Sequence, residues 1–302
     1  MYDIIIIGAG PAGLAAAVYG QRAEKRTLLI DEKGYGGQII NTPEVENYPA
    51  IQKISGFDFA NSLYQQAANL GAELTFEKAI AIETKADTKI VRTESGFYEG
   101  RAVIIATGAK NRPLGLEREA ELTGRGVAYC ATCDGAFYRG RTVAVIGGGN
   151  TALEDAEVLS GLAEKVYLIH RRDVFRGEES LVNRIRTKEN VDLLLNRIPT
   201  ALLGEEKITG LELEDRLNGE KEVLQLDGIF VAIGQMPDNE AFAEEIELDE
   251  KGYVKAGEDC LTKSDGIFVA GDCRTKKVRQ LATAVADGAV AALAAVEYIN
   301  KK

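Results

Sequence analysis

Two cysteines three residues apart, Cys130 and Cys133, can open and close a disulfide, and Asp134 follows the second of them. A thiolate attacks a disulfide sulfur, and the neighbouring cysteine of a CxxC can then close on the first and release its target reduced. Such an exchange needs a proton donor or acceptor. The chain holds a single His, His170, so mechanisms that need a His base elsewhere and metal sites built from several His are excluded. Asp134 is therefore the best candidate for the proton carrier, provided that burial raises its pKa. Zinc needs two ligands beyond one CxxC, and the remaining cysteines, Cys260 and Cys273, form no second motif, so no metal is expected. Those two bracket an extended run that exceeds the roughly 7 Å a disulfide tolerates, and they read as buried free thiols.

A second kind of chemistry is written in glycine. The β-branched run from Asp3 to Ile7 leads into Gly8-Ala9-Gly10-Pro11-Ala12-Gly13 and then a helical pattern. In such a strand, turn and helix the first Gly permits the turn, the second lets the backbone approach a pyrophosphate, and the third lets helix and strand pack. The helix N-terminus adds free N–H groups and a positive dipole. The next strand, Thr27 to Ile30, ends in Asp31, followed by Glu32, and an acidic side chain there accepts hydrogen bonds from ribose hydroxyls. This copy suits FAD.

The pattern recurs as Thr142 to Ile146, then Gly147-Gly148-Gly149-Asn150-Thr151-Ala152, then a helix and the strand VYLI. Asp31 lies 18 residues after Gly13, and His170 lies 18 residues after Ala152. The ribose-reading position of the second copy thus holds His170, with Arg171, Arg172 and Arg176 behind it. Guanidinium groups pair with a 2′-phosphate that a carboxylate would repel, so this copy should take NADP.

The elements that must carry these groups follow from length and pattern. The 302 residues allow two domains of ordinary size, and 45% hydrophobic against 27% charged residues, with 32 Gly and 6 Pro, is a packed globular composition. The net charge of −11 disfavours nucleic acid and anionic membrane as partners, and four cysteines are too few for a disulfide framework, which points to a reducing cytoplasm. The apolar N-terminus carries Asp3 and is broken by Gly and Pro, unlike a signal peptide or membrane span. After the first fingerprint come a Gly-rich loop, a helix over Gly56 to Leu70, a β-ribbon over about Glu73 to Val91 and Phe97 to Glu99, and the strand AVIIATG ending at Gly108. The second fingerprint closes with FVAIG, which rhymes with that strand. A further strand, GIFVAGDC, and the helix around Gln280 to Ile299 have no place in a domain already closed and must return to the first. The fold class expected is α/β, with two Rossmann-like dinucleotide-binding domains of three-layer ββα type. The first, over 1–113 and 244–302, is discontinuous and binds FAD; the second, over 117–241, is inserted into it, binds NADPH and carries the CxxC.

The stretches GAGPAGLAAAVYG, GGQ (36–38), VENYP (45–49), CATCDGAFYRG, GGGNTALEDA, HRRDVFR, FVAIG and AGDCRTKKVRQLATAVADGA span nearly the whole chain and together resemble the low-molecular-weight, bacterial-type thioredoxin reductases. The resemblance implies a homodimer with tightly bound FAD, and electrons passing from NADPH to flavin, to the CxxC disulfide, and to thioredoxin. It implies that Cys133 is the sulfur nearer the flavin, Cys130 the one that exchanges with the partner, and Asp134 the acid–base group. It places Gly37, Gln38, Asn47, Asp272, Arg279, Gln280 and Leu281 against the flavin nucleotide, Asp272 on its ribityl chain. Ala106, Thr107, Gly108 and Gly271, and Ile233 and Gly234 of FVAIG, join the nucleotide-contacting set, while Phe137 and Arg125 match places that touch the protein substrate. It also implies that the NADP domain rotates about its two linkers during each turnover. A related flavin disulfide reductase with another redoxin partner, or with a donor other than NADPH, is the alternative; the HRRDVFR cluster favours NADPH.

Overall fold

The structure is a computed structural model that describes residues 1–42 and 44–302, Asn41 by its backbone alone. In chain order it begins with β1 (Tyr2–Ile7), α1 (Pro11–Arg22), β2 (Thr27–Ile30), α2 (Gly56–Asn69), β3 (Glu73–Thr75), β4 (Ala79–Lys85), β5 (Thr88–Thr93), β6 (Phe97–Ile105) and β7 (Ala109–Asn111). A middle section follows with α3 (Glu119–Leu122), β8 (Val127–Ala128), α4 (Ala131–Asp134), β9 (Thr142–Gly147), α5 (Asn150–Ser160), β10 (Lys165–His170), α6 (Glu179–Arg186), β11 (Val191–Leu195), β12 (Arg197–Leu203), β13 (Gly210–Asp215), β14 (Lys221–Gln225) and β15 (Gly228–Ala232). The chain ends with β16 (Gln235–Pro237), β17 (Ile267–Val269) and α7 (Leu281–Lys301).

These elements form two compact units, one of residues Met1–Lys110 and Met236–Lys302, the other of Asn111–Gln235. The chain passes between them twice, and both crossings come earlier in the chain than the boundaries at 113 and 244 expected above, after Lys110 and before Met236. The reason is local: Gly108 and Gly234 turn the chain through positive φ, and the two strands that follow them, β7 and β16, pair with each other.

In the first unit the sheet runs β3-β2-β1-β6-β5-β4, with β17 also on β6. β1 is parallel to β2, Ile4 opposite Thr27, and parallel to β6, Ile4 opposite Ala102. Both faces are buried, which explains why β1 reads as an unbroken apolar run. Ile4 and Ile6 pack with Leu14, Ala17 and Ala291 of α1 and α7, whereas Ile5 and Ile7 pack with Ile82 and Val91 of the β4–β5 ribbon. Helix layer, sheet and ribbon are the three layers. Two details differ from the sequence expectation. Glu73–Thr75 is no part of the ribbon; it adds a parallel edge to β2, Leu28 opposite Glu73. Phe97–Glu99 runs on without a breaker into AVII as one nine-residue strand, in which Gly100 fits close against Ile5.

The second unit repeats the plan. Its parallel sheet is β11-β10-β9-β15-β8, and a separate antiparallel sheet is β12-β13-β14. Val143 and Val145 face α5 and α6, and Ala144 and Ile146 face Leu211 and Leu213 of β13. α7 is by length and composition apolar enough to cross a membrane. Here its stripe of Ala284, Gly288, Ala291, Ala292 and Ala295 is buried, and Gly288 meets the α1 backbone so closely that a Cβ would lie 2.2 Å from the Ala12 carbonyl.

Candidate active site: two glycine cradles and a disulfide

In the first cradle β1 ends at Gly8, whose φ is +106°; a Cβ there would lie 2.3 Å from the Ala106 carbonyl oxygen, and one on Gly13 would lie 1.9 Å from that of Gly8. These two glycines pack. Gly10 is different, since among the described residues the only atom near its added Cβ would be the Gly37 Cα at 3.8 Å, so the space over the turn is open there. Pro11 starts α1, where its missing N–H is no loss. Asp31 is fixed at the lip of the turn, accepting from the Ala9 N–H at 2.8 Å and the Lys33 N–H at 2.9 Å, and Glu32 beside it is exposed. The Gln38 amide donates to the Ala109 carbonyl, and Asn47 donates to the Gln280 side chain at 3.3 Å. The Thr107 hydroxyl donates to Asn239 at 2.7 Å.

Residues 271–281 complete this cradle. Gly271 sits over Ala12, and Gln280 caps α7 through a reciprocal pair of bonds with Thr283, just before Leu281. Arg279 lies over the Tyr253 ring at 4.2 Å and donates to the Asp272 carbonyl. Asp272 Oδ1 is buried with no hydrogen-bond partner among the described residues. Burial raises the pKa of this carboxyl, and the charges of Lys276 and Arg279 oppose the rise. A buried acceptor left open needs an outside donor. The open glycine and the open carboxylate fit a dinucleotide that carries hydroxyls.

The second cradle repeats the first. A Cβ on Gly147 would lie 2.4 Å from the Ala232 carbonyl, while one on Gly149 would meet nothing within 4 Å. Asn150 and Thr151 open α5, and the Asn150 side chain accepts from the Glu178 N–H at 2.8 Å. Ala152 is buried against Gly147, and at the other end of the turn the Gly234 carbonyl, next to Ile233, accepts from Arg112. His170 ends β10, but its ring lies over Gly148 and stacks on Phe175 with centroids 5.4 Å apart, leaving only 4% of the residue exposed. Burial lowers its pKa; a hydrogen bond to the Val174 backbone opposes that, and the charges of Arg176, Arg171 and Arg172 add to it. Positive charge at this lip belongs to Arg171, Arg172 and Arg176, all exposed and none in an ion pair among the described residues.

The cysteines lie in the same unit. β8 delivers Cys130 to the start of α4, Cys130 and Cys133 are joined as a disulfide with Cα atoms 5.3 Å apart, and the Cys133 N–H donates to Cys130 Sγ at 3.2 Å. α4 rests on α5, with Ala131 buried among Ala152, Ala156 and Leu159. Burial pushes the Asp134 carboxyl up to about 6. Arg125 and Phe137 are exposed. Cys260 and Cys273 are free and buried, as expected of them, and no cluster able to hold a metal occurs among the described residues.

The family model for pyridine nucleotide-disulphide oxidoreductases matches residues 2–288. The chain belongs to that family. Thioredoxin reductases of Listeria innocua and Bacillus subtilis are each 41% identical to it over 302 residues, which is all of this chain and 95% and 96% of theirs. The crystal structure of thioredoxin reductase from Streptococcus pyogenes is 37% identical, covers 100% of this chain and 99% of its own, and matches with a TM-score of 0.94. That of Lactococcus lactis in its FR conformation has the same identity and full coverage but a TM-score of 0.70.

Sequence reasoning missed three groups in this pyridine nucleotide-disulphide oxidoreductase. Asp155 on α5 is 8% exposed, faces the Ala131 N–H and is pushed by burial up to about 7. Glu119 is buried and accepts from the N–H groups of Leu114 and Gly115 and from the Tyr129 hydroxyl, which ties the segment entering the second unit to the residue before Cys130. Asp287 on α7 is buried with Arg274 and Lys276. Helical spacing held a signal for two of them. Asp155 follows Ala152 by three and Asp287 follows Ala284 by three, so each carboxylate falls on a buried stripe.

Proposed function

We propose that this protein is an NADPH-dependent thioredoxin reductase in which Cys130 and Cys133 form the exchanging pair. The observation that carries the reading is that a closed CxxC disulfide and a second glycine cradle with an arginine lip share one unit, in a chain matched along its whole length by thioredoxin reductases. When bound, NADPH supplies a hydride and FAD relays its two electrons to the disulfide.

Gly8, Gly10, Pro11, Ala12 and Gly13 would hold the FAD pyrophosphate, Asp31 its ribose, and Asp272 its ribityl hydroxyls. Ala106–Gly108, Gly37, Gln38, Asn47 and Arg279–Leu281 line the remainder. Gly147, Gly149, Asn150, Thr151 and Ala152 would hold the NADPH pyrophosphate, and Arg171, Arg172 and Arg176 its 2′-phosphate. Once the pair is reduced, the Cys130 thiolate attacks one sulfur of the thioredoxin disulfide, forming a mixed disulfide and releasing the other sulfur as a thiolate. Cys133 then attacks Cys130 Sγ, which re-forms the Cys130–Cys133 bond and frees thioredoxin with both sulfurs reduced. The N–H of Cys133 is placed to stabilise charge on Cys130, and Asp134 takes up and returns the proton.

Exposed apolar side chains on helices of the first unit, Phe57 on α2 and Val290 and Leu293 on α7, suit burial against a second copy of the chain in a homodimer. A disulfide that must open and close suits a reducing cytoplasm. The decisive experiment mixes the yellow protein anaerobically with NADPH and then adds thioredoxin. Bleaching of the flavin followed by thioredoxin-dependent disulfide reduction is expected. Cys130→Ser should retain the bleaching and lose the reduction, and Arg171→Ala should raise KM for NADPH but not for NADH. No bleaching with NADPH, yet bleaching with another donor, would overturn the assignment of the second cradle.

A further inference from the structure

Arg274 is the largest side chain in the protein that is fully buried, with 1% of it exposed. Its guanidinium grips Asp287 by both oxygens, Nε to Oδ2 at 2.8 Å and Nη2 to Oδ1 at 2.9 Å, and its other donors reach Glu258 at 3.0 Å and the Thr275 carbonyl at 3.1 Å. Asp287 Oδ2 accepts twice more, from Lys276 Nζ at 2.9 Å and from the backbone N–H of Gly271 at 2.9 Å. Gly271 is the residue before Asp272, and it holds a positive φ of +81°.

A buried ion pair is a poor way to gain stability, because desolvating both charges offsets most of their attraction and an apolar pair of similar volume does as well or better. What a two-pronged pair does supply is fixed geometry. Apart from the contact to Glu258, the bonds of the cluster run within the 271–276 segment that bears Asp272 or between it and the helix behind it. Asp287 sits beside Gly288, where α7 meets the first fingerprint helix, and Gly271 rests on Ala12 of that same helix. The turn, α7 and the fingerprint helix are thereby tied at one point. Arg279 completes the frame from the other side, donating to the carbonyls of Asp272, Arg274 and Lys276. Within this frame Asp272 Oδ1 is left buried and, among the described residues, without a partner.

We propose that Arg274 and Asp287, with Lys276, are positioning residues for the flavin: their buried cluster fixes the 271–274 turn so that Asp272 presents an open carboxylate oxygen to the ribityl hydroxyls. The inference rests on the reading of the first cradle as the FAD site and of Asp272 as its ribityl contact. In this reading the cluster acts only through Asp272.

The test follows FAD release from the holoprotein by the recovery of free-flavin fluorescence, with thermal melting followed in parallel. Three proteins carry it: Asp272→Asn, the triple variant Arg274→Met/Lys276→Met/Asp287→Leu, in which no charge is stranded, and the combination of both. Asp287→Asn, which keeps an acceptor for the Gly271 N–H, is a milder fourth. Asp272→Asn and the triple variant should each speed release at least tenfold, and their combination no more than the larger single effect, because both act through one contact. Independent effects that multiply would assign the cluster a structural role and overturn the proposal, as would wild-type release from the triple variant when Asp272→Asn releases fast. Wild-type release from Asp272→Asn would instead overturn the ribityl reading beneath it, and the proposal with it.

Discussion

Asp134 closes the redox helix and Asp155 stands on the helix against which it packs, and burial raises both carboxyls, to about 6 and about 7. Their expected signatures differ. At pH 7.5 Asp134 is ionised and can take the proton of the Cys130 thiol as that sulfur attacks. Thioredoxin turnover should therefore fall as pH drops through about 6. Asp134→Asn should abolish that limb and lower kcat on the order of a hundredfold, while single-turnover reduction of the flavin by NADPH is unchanged; equal losses in both half-reactions would remove Asp134 from the exchange step. Asp155 speaks through stability. Its folded pKa lies above the ordinary carboxyl value of 3.8, so the native state holds a proton that the unfolded chain gives up. Its contribution is complete below about pH 4, declines as pH rises from there to about 7, and is flat beyond. Asp155→Asn keeps a neutral side chain at every pH. Relative to wild type it should be more stable at pH 8 than at pH 4 by roughly 4 kcal/mol, read from urea unfolding at the two pH values. The same difference at both would show that Asp155 does not change its charge in that range.

At the scale of elements, the two cradles separate glycines that pack from glycines that make room. Gly13 is pressed on the Gly8 carbonyl, whereas Gly10 and Gly149 face open space in their respective turns. Gly13→Ala should destabilise the first unit by several kcal/mol, since backbone must move to admit the methyl group. Gly10→Ala should melt like wild type once both are stripped of flavin, yet bind FAD at least tenfold more weakly. If the two variants lose stability and flavin in parallel, the open space at Gly10 has no role in binding. These turns were legible in the sequence because strand, glycines and helix are contiguous, and so were the cysteine pair, the arginines behind His170 and the two-unit plan. The edge strand Glu73–Thr75 was not, because three residues hold no periodicity and only β2 beside them decides their place. The burial of His170 was hidden for a similar reason: its ring fills the space over Gly148, a contact made across the sheet edge and not along the chain. Asp155 and Asp287 could be read only from their place on buried helical stripes, and Arg274, in a turn with no periodicity, not at all.

At the scale of the molecule, what matters is which groups share a unit. The arginine lip that would take NADPH and the disulfide both belong to residues 111–235, and the cradle that would take FAD belongs to the other unit. Two reaction partners carried on one body must each reach a single flavin on another, and the covalent links are two short strands, each preceded by a glycine at positive φ with nothing within 4 Å of its added Cβ. A motion of whole units through solvent is slowed by friction, whereas a local bond-making step is not. At saturating NADPH and thioredoxin, sucrose that raises the relative viscosity about threefold should lower kcat by up to about threefold. A long polymer giving the same bulk viscosity should do far less, because at the length scale of one unit the solvent between its strands is ordinary water. Denaturation or weakened substrate binding would act through the sucrose concentration itself, and glycerol matched to the same viscosity separates that effect from friction. A kcat indifferent to both small viscogens would place the slow step within the chemistry and overturn the expectation that unit motion limits turnover.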